Sequence, residues 1–138
     1  MIYVPKYFTI EEIFPRSIAS RLPSEYLWSL MDEKILQAAD AIREYVGRRM
    51  FVNYYGMQCR GFRDCNECAN VGGKLSAHRV GKAIDFNIED MPTEEVYEMV
   101  LRKSNLWKGV RRIENIEKTP TWIHIDSKEH NEENIKIF

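Results

Sequence analysis

The chain has 138 residues, 44% hydrophobic and 30% charged, with Lys+Arg 20 against Asp+Glu 21 and a formal net charge of −1. That length holds one domain, residues 1–138, with a real core. The near-neutral balance excludes any general attraction to nucleic acid or anionic membranes, and no apolar run approaches the roughly 18–20 residues of a membrane span.

Met1-Ile2-Tyr3-Val4-Pro5-Lys6 lacks the basic start and apolar run of a secretory signal. The chain is therefore expected to be made in the cytoplasm without one. Thr9-Ile10-Glu11-Glu12 fits a capping box, and Pro15 ends or bends the short helix that follows. Arg16 to Pro23 reads as a loop. Ser24 can cap the main helix, about Glu25 to Val46. Its apolar stripe runs through Leu27, Leu30, Met31, Ile35, Ala38, Ala39, Ile42 and Val46, and Gly47 is a natural residue to close it. That stripe predicts core packing.

Met50 to Tyr55 has strand character. A long loop from Asp64 to Leu75 follows, of the kind that shapes clefts or moves. Three cysteines, Cys59, Cys65 and Cys68, fall at its start. An odd count in a chain without a secretory signal argues against a disulfide framework, so reduced loop thiols are expected. A Cys65–Cys68 disulfide stays open for a protein working outside the cell, as does a second metal site completed by Cys59 and a fourth ligand. Thr93 to about Lys103 predicts a helix with Val96, Met99, Val100 and Leu106 facing the sheet. Val110–Glu114 and Thr121–Asp126 predict a hairpin, and Ile135–Phe138 an edge strand or a cover. His130, in the charged tail, reads as solvated.

Ser76 to Asp85 is the stretch that carries chemistry. On one straight strand the odd offset between His78 and Asp85 would put them on opposite faces. Gly81 between them can take positive φ or make a bulge, and a turn there could bring both to one point. After it, Ala83, Asp85 and Asn87 alternate with Ile84, Phe86 and Ile88. Trp122-Ile123-His124-Ile125-Asp126 alternates likewise. Two strands with their apolar faces on a common core bring Asp85 and His124 out on the opposite face, where His78 completes a cluster. Three such ligands with one open position suit a catalytic zinc site. Singly, either histidine also fits an ordinary polar residue on a half-exposed sheet, and spacing alone does not separate the two readings.

Ser76, His78, Gly81, Ala83 and Asp85 together resemble the S-x-H-x-x-G-x-A-x-D motif of the zinc D-Ala-D-Ala peptidases. That superfamily includes murein carboxypeptidases, murein endopeptidases and phage endolysins, and shares a fold with the Hedgehog signalling domain. Trp122 to Asp126 resembles its closing W/F-x-H-x-D. Arg60-Gly61-Phe62-Arg63, with Asn70 and Gly72-Gly73, resembles its S-G-Y-R…N…G-G. The resemblance covers about residues 50–127. It implies an α+β fold with a small antiparallel sheet packed by helices on one face.

It also implies Zn²⁺ held by His78, Asp85 and His124, and hydrolysis of peptidoglycan stem peptides, D,D- or L,D-type, by a metal-activated water. The expected partner is that peptide alone, with no nucleic acid and no membrane, the protein being a monomer. A phage endolysin or virion-associated lysin acting at the bacterial wall needs no export signal. A lapsed binding module of the same fold and a cytosolic dipeptidase are the competing readings. Arg63 matches a family arginine that contacts the substrate's carboxylate or carbonyl. The family commonly places a catalytic acid a few residues before the last histidine, where this chain has Thr121 and Lys118. Glu114 and Glu117 are the nearby candidates. Ile113 should share the apolar face with Ile123 and Ile125, which puts Glu114 on the face of His124 and makes it the expected base. Ser76 is expected to bond backbone or substrate near the metal, Asp126 to orient a neighbour, and Trp122 to wall the cleft or pack.

Overall fold

The computed structural model describes residues 2–54 and 56–138. Met1, and Tyr55 at the end of the strand expected over residues 50–55, lie outside the described residues. The described part of that strand is short, β1 (Met50–Phe51). Helix α1 (Ile10–Ile13) begins after Thr9, whose side chain makes no cap bond, so only part of the expected capping box forms. The segment expected as a loop after Pro15 contains one turn of helix, α2 (Arg16–Ala19).

The single helix expected over about Glu25–Val46 is two, α3 (Ser24–Ser29) and α4 (Glu33–Val46). The break is at Asp32. Its backbone is extended, its side chain accepts from Lys34 N, and its own N–H donates to Gly81 O at 2.8 Å. An N-cap aspartate satisfies one orphan donor of the helix it starts, and the bond to Gly81 ties that start to the turn carrying His78. Gly47 closes α4 in the left-handed conformation, as the sequence predicts.

Strand β2 (Ala83–Ile88) lies beside the central strand of a five-stranded sheet of order β1-β2-β4-β3-β5, where β3 is Arg112–Ile113, the central β4 is Ile123–Asp126 and β5 is Lys136–Ile137. The expected hairpin forms, with Ile113 opposite Ile125 and Arg112 opposite Asp126. The sheet departs from the all-antiparallel expectation at its edge, where β5 runs parallel to β3. Strand β4 ends beside the start of β3. The tail re-enters at that same end and so follows β3 in β3's own direction.

Ile84, Phe86, Ile88, Ile113, Ile123 and Ile125 are buried in a core shared with Ile35, Leu36 and Ile42 of α4. Helix α5 (Thr93–Arg102) adds Val96, Met99 and Val100. Full burial of each such side chain contributes about 1.5–3 kcal/mol. Leu106, expected to face the sheet, is exposed, and the buried residue there is Trp107, whose indole N–H donates to Val100 O. No helix among the described residues is long and apolar enough to cross a membrane. The odd-numbered positions of β2 and the even-numbered ones of β3 and β4 leave the opposite face, where the site lies.

Candidate metal centre

Asp85 and His124 are direct cross-strand partners in the β2–β4 register, so their side chains rise together from the sheet. His78 comes from a short 3₁₀ turn, Ala77–Val80, just before β2. Gly81 ends that turn with φ 72°, and a Cβ there would lie 1.9 Å from Leu30 O. The turn expected at Gly81 therefore exists, and only glycine fits it. Gly61 is as tightly held: a Cβ there would lie 2.1 Å from Ile13 O.

Three ligand atoms converge. His78 Nε2 lies 3.1 Å from Asp85 Oδ1, His124 Nδ1 lies 2.8 Å from that same oxygen, and the two ring nitrogens are 3.2 Å apart. Each ring's other nitrogen already faces an acceptor. His78 Nδ1 is 2.8 Å from Gly61 O, and His124 Nε2 is 2.9 Å from Asp126 Oδ2. Those two atoms must carry the hydrogens, which leaves His78 Nε2 and His124 Nδ1 to offer lone pairs. Two lone pairs and a carboxylate oxygen in one small triangle repel one another unless a cation sits among them. For a tetrahedral ion with bonds of about 2.0–2.1 Å the donor separations are about 3.3 Å, close to those found. His78, Asp85 and His124 thus form a buried group that could hold a metal ion, leaving a side open to a cavity of about 280 Å³.

Charged neighbours orient the ligands. Arg112 donates from Nε and Nη2 to the two oxygens of Asp126, each at 2.8 Å. This bidentate clamp fixes the acceptor that in turn fixes His124. Arg63 approaches Asp85 Oδ2 at 3.4 Å, leaving Oδ1 to face the two imidazoles, and donates from Nε to Cys59 O at 2.8 Å. Burial alone would raise Asp85, but bonds from His124 and His78 hold it far below the usual carboxylate range. Burial would lower His124, yet Asp126 and Asp85 push it up to about 9. Without metal the triangle therefore closes on a proton.

Ser76 accepts from His78 N and from Arg63 Nη1, so it serves the loop beside the ligands. Asp126, read from sequence as orienting a neighbour, holds the ring of His124 through Nε2. Glu114 lines the central cavity with Arg63, Trp122 and the three ligands. Glu117 is exposed, with its N–H on Asn115 Oδ1 in the turn. His130 is tethered rather than solvated: its Nε2 lies 2.6 Å from Arg111 O.

The cysteine expectation needs correction. Cys59 and Cys68 are bonded to each other and Cys65 is free and exposed, so neither reduced loop thiols throughout nor a Cys65–Cys68 pair describes the chain. The loop folds back through Cys68, whose N–H donates to Asp64 Oδ1 at 2.9 Å, and that return brings Cys68 to Cys59. Sequence reading also missed three contributors. Arg79 donates to the carbonyls of Asp64, Cys68, Ala69, Val71 and Gly73, so the long loop is built around its guanidinium. Arg112 could have been found from parity, since it shares the face of Glu114. Phe138 packs its ring edge-on to His124 at 5.6 Å and under Arg112. Comparison with family models, with curated proteins and with solved structures gave no match.

Proposed function

We propose that the protein is a zinc-dependent peptidase that hydrolyses peptide bonds of peptidoglycan stem peptides. The observation that carries this reading is the convergence of two imidazole lone pairs and one carboxylate oxygen beside a cavity that Glu114 and Arg63 also line. Two histidines and a carboxylate with an open side are the donor set of hydrolytic zinc. Zinc held there supplies a Lewis acid for the scissile carbonyl and makes water a nucleophile near neutral pH.

The chain's own groups do the rest. Gly61 O and Asp126 keep both imidazoles in the tautomers whose lone pairs point inward. Arg63 holds the non-ligating oxygen of Asp85 and offers its remaining donors to a substrate carbonyl or carboxylate. Glu114 takes a proton from the attacking water and returns it to the leaving amine. The Cys59–Cys68 bond fits a place of action outside a reducing cytosol, which favours the bacterial wall over the dipeptidase reading.

Metal analysis of the purified protein, with a murein digestion profile set beside free D-Ala-D-Ala, tests the proposal. Zinc near one per chain, murein hydrolysis, and loss of that hydrolysis in Glu114→Gln but not Glu117→Gln are expected. Iron in place of zinc, or a zinc-loaded protein that leaves murein intact, would overturn it. The second result would point to a binding module instead.

A further inference from the structure

The ligand triangle lies midway along a track rather than at the bottom of a pit. The central cavity shares Arg63, Asp85 and Trp122 with a larger one of about 640 Å³ on one side. On the other it shares Leu75, Ser76 and Ala77 with a third of about 330 Å³. The central space alone falls just short of the smallest ligand pockets, roughly 300 Å³; with both arms the track exceeds that bound several times over.

The two arms have matching chemistry. The larger is lined by Arg60, Asn87, Tyr54, Met57 and Trp122. Arg60 Nη2 donates to Asn87 Oδ1 at 2.5 Å, while its buried Nη1 has no acceptor among the described residues. Such a donor is satisfied by a carbonyl or carboxylate brought by an occupant. The other arm sets Leu75 and Val80, 90% and 62% exposed, among Lys74, Lys82 and Lys128. Asp85 is the one carboxylate lining either arm, and it is a ligand. A chain of net charge −1 thus keeps a cationic track through its site. A site that trims a terminal residue needs one closed end with its charge clamp; here cations and open space continue past the ligands in both directions.

Resting on the peptidase reading above, we propose that the protein is an endopeptidase, whose substrate is an extended acidic peptide lying through all three cavities and cut at an internal bond over the ligand triangle. Water adds across that amide: the C–N bond breaks, oxygen goes to the acyl carbon, and the departing amine takes a proton through Glu114. Backbone and carboxylates of the peptide meet Arg60 on one side. On the other, its apolar parts cover Leu75 and Val80 while its acids meet the lysines.

The test uses the zinc-loaded full chain and a murein pentapeptide in two forms, one acetylated and amidated at its ends, one with both ends free. Calorimetric binding and mass spectrometry of the products are read together. The blocked peptide should bind within about threefold of the free one, a difference below 1 kcal/mol, and should be cut internally. Leu75→Asp, and Lys74→Glu with Lys82→Glu, should each weaken its binding about tenfold with zinc content unchanged. A blocked peptide that neither binds nor is cut, while the free one loses a single terminal residue, would overturn the proposal. So would arm variants that bind as the parent does. Binding that the Leu75 and lysine variants weaken, without hydrolysis of either peptide, would instead bring down the peptidase reading and leave the track standing.

Discussion

Asp126 does not line the cavity over the candidate site, yet it supports that site from behind. It is fully buried, holds His124 Nε2 at 2.9 Å and is itself clamped by Arg112. Asp126→Asn keeps its shape but loses one charge-assisted acceptor, freeing His124 to rotate or change tautomer. Metal affinity should fall about 10–100-fold while the three ligands remain, and competition with a chelator measures it. Unchanged affinity would show that the strand alone orients His124. The same contacts set a pH dependence. His124 is pushed up to about 9 from an ordinary 6.5. A histidine whose folded value exceeds its unfolded one stabilises the fold fully below pH 6.5 and loses that contribution as pH rises through 9. The Tm of chelated protein should therefore fall across that window, and zinc should flatten the curve because the metal replaces the proton. Melts of both forms between pH 6 and 10 check this; a level curve for the chelated form would contradict a protonated bridge. Asp85 and His124 were legible as residues because period-2 alternation fixes which face a strand residue occupies. His78 was legible only as a candidate, since its placement depends on a turn.

That turn is the element on which the site is assembled. Gly81 sits at φ 72° with Leu30 O where its Cβ would be, and its carbonyl accepts from Asp32 at the start of α4. Gly81→Ala must both adopt a left-handed backbone and push α3 away from the turn. A loss of at least about 3 kcal/mol is expected, together with weaker metal binding. Gly73→Ala, with nothing within 4 Å of the added atom, should stay within about 0.5 kcal/mol of the parent. Urea unfolding of the two variants decides it, equal costs being the outcome that sinks the argument. These same contacts explain why the long helix was misread. Leu27, Leu30, Met31 and Ile35 continue one apolar stripe, and periodicity carries no mark of a break. What breaks it is tertiary: Asp32 turns its N–H to Gly81 and its Oδ2 to Ser127 Oγ at 2.9 Å. Strand β5 was visible as an apolar tail, but its direction depends on where β4 ends, which no local pattern encodes.

Across the whole molecule, the candidate site draws on residues far apart in the chain, and the tie least visible in sequence lies at the wall of the larger cavity beside it. Counting cysteines argued for free thiols, because an odd number cannot all pair within one chain. Pairing is decided by geometry, and here Asp64 and Arg79 fold the loop so that Cys68 reaches Cys59. The bond closes a loop across the sequence separation of 9, for which chain-entropy reasoning gives roughly 2–3 kcal/mol. Cys59 also accepts from Arg63 Nε through its carbonyl, so opening the bond loosens one support of an arginine in the cavity. Cys59→Ser should lower stability by that amount and weaken binding of acidic peptide, with zinc retained because no ligand is touched. Cys65→Ser, at an exposed free thiol, should change neither. Thermal melts of both variants with and without a dithiol reductant separate the cases: the parent should fall to the level of Cys59→Ser on reduction, and Cys59→Ser should not respond. If reductant leaves the parent unmoved, or if Cys65→Ser proves as costly as Cys59→Ser, the pairing is different and the loop beside the track is held by Arg79 and Asp64 alone.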